Sequence, residues 1–528
     1  MRRTTSLSFA ALILLVTAGA LALRLPSLDA RPVHADESVH MVKFHELWKH
    51  GTYRYDPNEF HGPTLYYSTL PVVWAMGRAH FADTTEGDYR LVTVLFGAGM
   101  ILLLPLFADG LGRRSVVWAG ILIATSPAMV FYSRYYIQEA LLAFFTVACI
   151  ACAWRYVRSG RWPWAAGASA SAGLMAATKE TAVLSFLAGG AALLLLNVRA
   201  RGKVGRPDAE PSVFYHLSWR GWIAVAAGAV AVAELFLTGF FTNPRGITDS
   251  IRAYIPWVTR AGETGLHRHP FLYYLSILGY SHYPRAPIFS EAVIILLALA
   301  GGIAAFRMKE PGRRLALFLA LYTLFVTLIY SAIPYKTPWC VLDILVGMAL
   351  LGGLGADAFL RCIPGIAGKG VSWVLLGAGI VWLARQAYLA SVVYSTAAGN
   401  PYAYAQTVPD AVRLGRRIVE LAAAGPNGAR TPVYVVSTDA YYWPLPWYLR
   451  ALKSVGYWTQ LPAGPMPPIV VASADLDEAL APRLNDAYLM TGYYGLRPGA
   501  LYEVWVRMDL WKEYLEMRKR LGRPPGDD

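Results

Sequence analysis

Residues 31–67 read RPVHADESVHMVKFHELWKHGTYRYDPNEFHGPTLYY, and the fold turns on how that stretch is read. It follows a long apolar run and precedes another. Into that gap it places the adjacent acids Asp36 and Glu37, five histidines (His34, His40, His45, His50, His61) and a His61-Gly62-Pro63 turn. A polar, titratable segment between membrane spans has the form of an active-site loop at a bilayer face. Adjacent side chains diverge by about 100° in a helix and about 180° in a strand. One acid therefore aims at a reacting atom while the other supports it, and Asp36 also reads as the N-cap of a helix through SVHMVKFHELWKHG. The first four histidines read as surface residues rather than ligands.

The chain around it is 56% hydrophobic and only 16% charged, with a mean hydropathy of +0.38. That lies outside the soluble globular range. Several nearly uncharged runs of 18 or more residues are long enough to cross ~30 Å of hydrocarbon. The net charge of +14 comes largely from short loops between such runs, the pattern of cytoplasmic retention and anionic-lipid contact rather than of nucleic-acid binding. Cys149 and Cys152 form a CxxC inside a helical-looking run with no His or Cys nearby in sequence, so they read as small buried residues. The N-terminal run, which could also read as a cleaved signal peptide, is taken as an uncleaved first span because its apolar stretch is long, and Arg2 and Arg3 imply a cytoplasmic N-terminus.

Twelve apolar stretches are candidates for spans: 6–24, 63–81, 89–109, 115–132, 135–157, 162–178, 181–198, 219–241, 288–306, 314–332, 338–360 and 370–391. If all cross, the basic clusters at Arg113-Arg114 and Arg199–Arg206 fall outside. If 63–81, interrupted by Pro63 and Pro71, lies on the outer surface instead, every basic cluster falls inside. The positive-inside rule thus predicts about eleven spans. The outer face then collects the Asp36–Glu37 loop, SRYYIQEA (133–140), Lys179-Glu180, the loop 243–287 and IPYKTPW (333–339).

From about residue 400 the pattern changes. VYVVSTD (433–439) and PIVVASAD (468–475) read as strands, DAVRLGRRIVELAAA (410–424) as a helix, DAYLMTGYY with ALYEVWVRM as a closing strand pair, and 510–521 as a terminal helix. The expected organisation is a transmembrane domain over 1–395, with juxtamembrane helices in 31–82, and an extracytoplasmic α/β domain of about 130 residues over 400–528. Candidate residues beyond the first loop are Glu139, an acid at membrane depth that could instead pair with Arg134, and Lys179. His267-Arg268-His269 and Tyr335-Lys336 suit phosphate or headgroup contact.

The motifs HADESVH, YDPNEFHGPTLYY, SRYYIQEA, HRHPFLYYL, YSAIPYKTPW and WPLPWYLR resemble a prokaryotic multi-span family named as flippase-activity-associated in archaeal protein glycosylation. That family is similar to protein O-mannosyltransferases and the lipid A aminoarabinose transferase, of the C-type glycosyltransferase superfamily. The resemblance implies a polyprenyl-phosphate sugar donor and an outer-leaflet site. It places the first-loop acids at Asp36 and Glu37 and the second-loop acid at Glu139. Where those enzymes carry Pro-Pro, this chain has His-Gly-Pro (61–63), and PYKTPW is likewise not a feature of those enzymes. The expectation is a multi-pass plasma-membrane glycosyltransferase. Asp36 or Glu37 acts as general base, and Glu139 is a further catalytic carboxylate. His61, Arg134, Lys179, His267, Arg268, His269, Tyr335 and Lys336 contact substrate. The partners are the lipid-linked sugar, membrane lipid and a hydroxyl acceptor of protein, lipid or glycan type, without nucleic acid. No cofactor or metal site is implied, though a divalent cation would be compatible. The alternative is a translocase, or a flippase accessory, that binds lipid-linked sugars without transfer chemistry.

Overall fold

Long apolar runs must satisfy their own backbone in hydrocarbon, and helices do so within one segment. The computed structural model describes residues 2–58, 61–201, 219–262, 267–438 and 441–522. Outside these lie the basic stretch Lys203–Arg206, positions 263–266 of the 243–287 loop, Glu59, Phe60 and Asp439. Among the described residues seven helices are long and apolar enough to cross a membrane: Leu7–Arg24, Glu86–Leu111, Glu139–Ser159, Arg220–Leu237, Gly312–Ala332, Pro338–Cys362 and Ile366–Val393. The pair Arg113–Thr125 and Pro127–Ser133, bent by 61°, makes an eighth if it counts as one span. This is a multi-span helical membrane protein. The other three of the eleven expected spans fold as the helices Trp162–Ala176, Ala182–Arg201 and Ala292–Arg307. The segment 63–81 forms a helix of 12 residues, Thr64–Ala75, with Pro71 inside. At 1.5 Å per residue that is about 18 Å, too short to cross.

Two compact units are present. The first comprises Met1–Leu28, Leu47–Val72 and Gly87–Tyr404, and the second Asp29–Glu46, Val73–Glu86 and Ala405–Asp528. The Asp36 segment thus packs in the unit that carries the C-terminal domain.

In the first unit, Pro338–Cys362 runs through the core with nearly all of its apolar stretch buried, whereas Arg220–Leu237 and Ile366–Val393 turn most of theirs outward. Small residues allow close helix crossing in a solvent as apolar as the side chains. A Cβ on Gly301 would stand 1.9 Å from the Leu351 carbonyl oxygen, and one on Gly355 1.9 Å from that of Leu297. The bend at Ser126–Pro127 leaves a new helix start inside the unit, where unsatisfied N–H groups are costly. Glu291 meets them: its carboxylate accepts from the Ala128 amide at 2.7 Å and the Ser126 hydroxyl at 2.6 Å.

The second unit carries a five-stranded sheet of β1 (Val433–Val436), β2 (Val455–Trp458), β3 (Ile469–Ser473), β4 (Tyr488–Arg497) and β5 (Ala500–Arg507). The strand order is β2-β1-β3-β5-β4. β1 pairs in parallel with β2 and β3, and β5 runs antiparallel to both β3 and β4. Alternation sorts the faces. Val433, Val435, Ile469 and Val471 pack with the helices Pro409–Ala424, Leu445–Tyr448 and Met508–Arg520. Val470 and Ala472 pack with the helix Asp477–Leu484 on the other face. The expected strands and helices all form, and β2 is an addition. Gly499, at φ 82°, closes the β4–β5 hairpin after Pro498, where a side chain would be strained.

Candidate active site

In the second unit the two acids open the helix Ala35–His50. The N-cap position falls to His34, not Asp36: the Asp36 amide donates to His34 Nδ1 at 3.1 Å. Glu37 completes the reciprocal box, its Oε2 accepting from the His34 amide at 3.0 Å. Its Oε1 lies 3.2 Å from Arg31, and both partners are buried. Glu37 is therefore held in place by the helix start and Arg31. Asp36, one position earlier, keeps 46% of its side chain exposed. His34 Nδ1 lies 3.9 Å from the Asp36 carboxylate. It already accepts the Asp36 amide, so it holds no proton to offer there.

Three contacts within the unit hold this segment. The Val33 amide donates to the Tyr448 hydroxyl at 2.8 Å, Ser38 Oγ to the Pro444 carbonyl at 3.4 Å, and Gln406 to the Pro32 carbonyl at 3.1 Å. Two of these anchors come from WPLPWYLR (443–450), which is how that motif bears on the first-loop acids. Arg497, at the end of β4, lies within electrostatic reach of Asp36.

In the first unit Glu139 begins the helix Glu139–Ser159 and makes a buried ion pair with Lys179. Burial works against the Lys179 ammonium, but the Glu139 charge outweighs it and holds the pKa above the ordinary lysine value. The alternative pairing of Glu139 with Arg134 does not form. Arg134 donates instead to the carbonyls of Arg24 at 2.6 Å, Pro26 at 2.7 Å and Ser27 at 3.1 Å, fastening the end of the first helix.

The His-Gly-Pro turn is joined to the Lys179 turn. His61 Nδ1 lies 2.7 Å from one oxygen of Glu180, and the Tyr55 hydroxyl donates to the other at 2.7 Å. The Thr64 and Thr178 hydroxyls are 2.8 Å apart. A Cβ on Gly62 would stand 1.9 Å from the Ala177 carbonyl oxygen, so only glycine permits this approach. The His61 ring stacks on Trp257 at 5.1 Å.

The remaining candidates converge in the same unit. Arg268 and Tyr335 form an antiparallel bridge, and the Lys336 amide donates to the His267 carbonyl at 2.8 Å. Lys336 is buried, its ammonium turned to the carbonyls of Ile333 and, at 3.3 Å, His269. Burial lowers its pKa. His267 Nδ1 meets the Tyr404 hydroxyl at 2.8 Å, and the His269 ring stacks on Tyr273 at 4.1 Å. His269 Nε2 is buried with no hydrogen-bond partner among the described residues. Burial, His267 and Lys336 together lower the pKa of its imidazole. Among the described residues no three His, Cys, Asp or Glu side chains converge as a divalent cation would require.

Residues 65–242, which include Glu139 and Lys179, match the sequence profile of the family described as dolichyl-phosphate-mannose-protein mannosyltransferase. ArnT from Cupriavidus metallidurans, solved bound to undecaprenyl phosphate, superposes with a TM-score of 0.62 at 16% identity, over 93% of this chain and 97% of that one. The chain has the fold of ArnT. The archaeal oligosaccharyltransferase AglB from Archaeoglobus fulgidus shares it, with a TM-score of 0.55 at 13% identity, over 90% of this chain and 70% of that one. AglB was solved with an inhibitory peptide and a dolichol-phosphate. No protein of curated function matches the chain in sequence. Tyr55, Glu180, Tyr404 and Arg497 contact or face these candidates and are not among those read from the sequence. Only Glu180 carried a signal, as half of a charged pair between apolar runs.

Proposed function

We propose that this chain transfers a sugar from a polyprenyl-phosphate donor to a hydroxyl acceptor at the outer membrane face, with Asp36 as the general base. The observation that carries the assignment is the unequal state of the two acids. Glu37 is fixed by Arg31 and the His34 amide, whereas Asp36 has a carboxylate half open to a ligand. The lipid phosphates bound by ArnT and AglB support the donor class.

In the reaction Asp36 takes the acceptor proton, the hydroxyl oxygen attacks the anomeric carbon, and the carbon–oxygen bond to phosphate breaks. The lipid phosphate leaves with the electron pair, and the proton on Asp36 passes to water. Phosphate is a good leaving group without protonation, so the protein's task there is to stabilise negative charge. Candidates for that task within the first unit are Lys179, kept charged by Glu139, and His267, Arg268, His269 and Lys336. The Nε2 of His269, buried without a hydrogen-bond partner among the described residues, is the atom there with donor capacity for a phosphate oxygen. His61 and Arg134 act as positioning residues, through Glu180 and the first helix.

The test uses purified protein in vesicles with undecaprenyl-phosphate-linked [14C]mannose and a saccharide acceptor, reading labelled acceptor and released undecaprenyl phosphate. Asp36→Asn should cut transfer by roughly 10²–10⁴-fold, the usual cost of losing a positioned base. Equal rates in the two proteins would overturn the assignment. Label that changes leaflet without leaving its lipid would establish the translocase reading.

A further inference from the structure

The sheet of the second unit has a topological switch point that the reaction above does not use. β1 and β3 are parallel neighbours, yet the chain leaves their C-terminal ends in opposite directions. From β1 it passes through the helix Leu445–Tyr448 on one face and returns as β2. From β3 it passes through the helix Asp477–Leu484 on the other face and returns as β4. In open α/β sheets such divergence opens a crevice beyond the carboxyl ends of the two strands, where ligands bind.

The residues at this edge are polar and mutually oriented. Asp475, just past β3, is exposed. One of its oxygens accepts from Ser473, and the other from Thr438 Oγ1 at 3.1 Å. Those donors hold it ionised, below the ordinary aspartate pKa. A carboxylate offers about four lone-pair sites, so it retains capacity after accepting both hydroxyls. Arg497 reaches the same edge because β4 runs parallel to β3, and the Tyr502 hydroxyl lies within electrostatic reach of both Arg497 and Asp475. The Arg497 guanidinium is laid over the half-exposed Tyr441 ring at 4.9 Å. Its other charged neighbour is Asp36.

We propose that this crevice is a saccharide-binding subsite that presents a sugar hydroxyl of the acceptor to Asp36, with Asp475 and Arg497 as its principal contacts. The proposal rests on Asp36 as the base and adds the chemical class of the acceptor. Vicinal hydroxyls donate to a carboxylate and accept from a guanidinium within one ring, which matches a fixed Asp and Arg set among Ser, Thr and Tyr hydroxyls. A peptide added to the sheet would need an open strand edge. The edges of this sheet are β2 and β4, while Thr438 and Asp475 lie past the ends of the central strands β1 and β3, and Arg497 sits at the end of β4 rather than along its length. The candidate base and the hydroxyl-binding set belong to one compact unit.

The experiment is saturation-transfer-difference NMR on the full-length protein in detergent. The probes are methyl glycosides of mannose, galactose, glucose and N-acetylglucosamine, and separately a hexapeptide containing serine and threonine. At least one glycoside should bind, at least tenfold more weakly in Asp475→Ala and in Arg497→Gln. In Asp36→Asn its binding should stay within twofold while transfer is lost. Glycoside binding that survives both crevice variants unchanged would sink the subsite, as would Asp475-dependent binding of the peptide alone. If Asp36→Asn transfers at the wild-type rate while Asp475→Ala loses binding, the base assignment fails and the subsite stands.

Discussion

At Asp36 and Glu37, two residues of nearly the same chemistry differ by one position on a helix, and that difference separates their fates. Glu37 is at the third helical position, where its side chain reaches back to the His34 amide and meets Arg31. Asp36, at the second, projects outward. Removing one partner of a buried ion pair strands the other charge, at about 3–5 kcal/mol. Glu37→Ala should therefore lower the melting temperature in detergent markedly. Asp36→Ala should move it little, since surface changes of this kind stay within about 0.5 kcal/mol apart from a helix-dipole contribution of about 0.3–1 kcal/mol. Equal melting shifts would mean that Glu37 is not the structural member of the pair. The sequence puts both acids at one helix start but does not separate them, because the outcome depends on how His34 and Arg31 turn around that start. Arg134 and Glu139 illustrate a stronger limit. Their spacing suggests a pair, yet Glu139 takes Lys179, 40 residues away, and Arg134 takes carbonyls more than a hundred residues upstream.

Among the elements, the turn between the helices Trp162–Ala176 and Ala182–Arg201 carries Lys179 and Glu180, and its position depends on the His61 turn. Burial alone would raise the Glu180 pKa, but the charge and hydrogen bond of His61, aided by Tyr55, lower it below the ordinary value. The charged and titratable groups around it are His61, Tyr55, Lys179, Tyr254 and, through Tyr55, Asp249. A depressed carboxylate pKa contributes stability that is present above the unfolded value, about 4.3 for glutamate. That contribution is lost as pH falls through the folded value, because the unfolded chain binds the proton first. The melting temperature of the wild type should exceed that of Glu180→Gln at pH 6 to 7, and the gap should narrow as pH falls below about 4.3. A gap that stays constant down to pH 3.5 would refute the linkage. The sequence shows Lys179-Glu180 as a charged pair between apolar runs, and it shows Gly62. It does not show that a Cβ there would collide with Ala177, since that distance exists only once the two loops meet.

For the molecule as a whole, the apolar runs identify the helical membrane part, and alternation identifies β1, β3 and the β4–β5 hairpin. β2, four residues at a sheet edge, is too short for its pattern to stand out. The second unit is less legible because it is assembled from three separated stretches of chain. Their meeting point is aromatic: His45 stacks on Phe81 at 4.4 Å, and Phe81 meets Trp447 edge-on at 5.7 Å. Trp447 is fully buried, donates to Glu86 at 2.8 Å and lies under Arg450 at 3.7 Å, while Arg450 holds the Thr84 carbonyl at 2.8 Å. Stretches that fold as one unit should open as one unit. Trp447→Ala should cost about 3–5 kcal/mol, and the loss should register in hydrogen exchange far from position 447 in sequence. Amides of 35–46 and 81–86 should exchange faster together with those of 445–450, while Pro338–Cys362 in the first unit keeps its protection. Faster exchange confined to 445–450 would show that these stretches do not form one cooperative unit, and that Asp36 is held by something other than the motif beginning at Trp443.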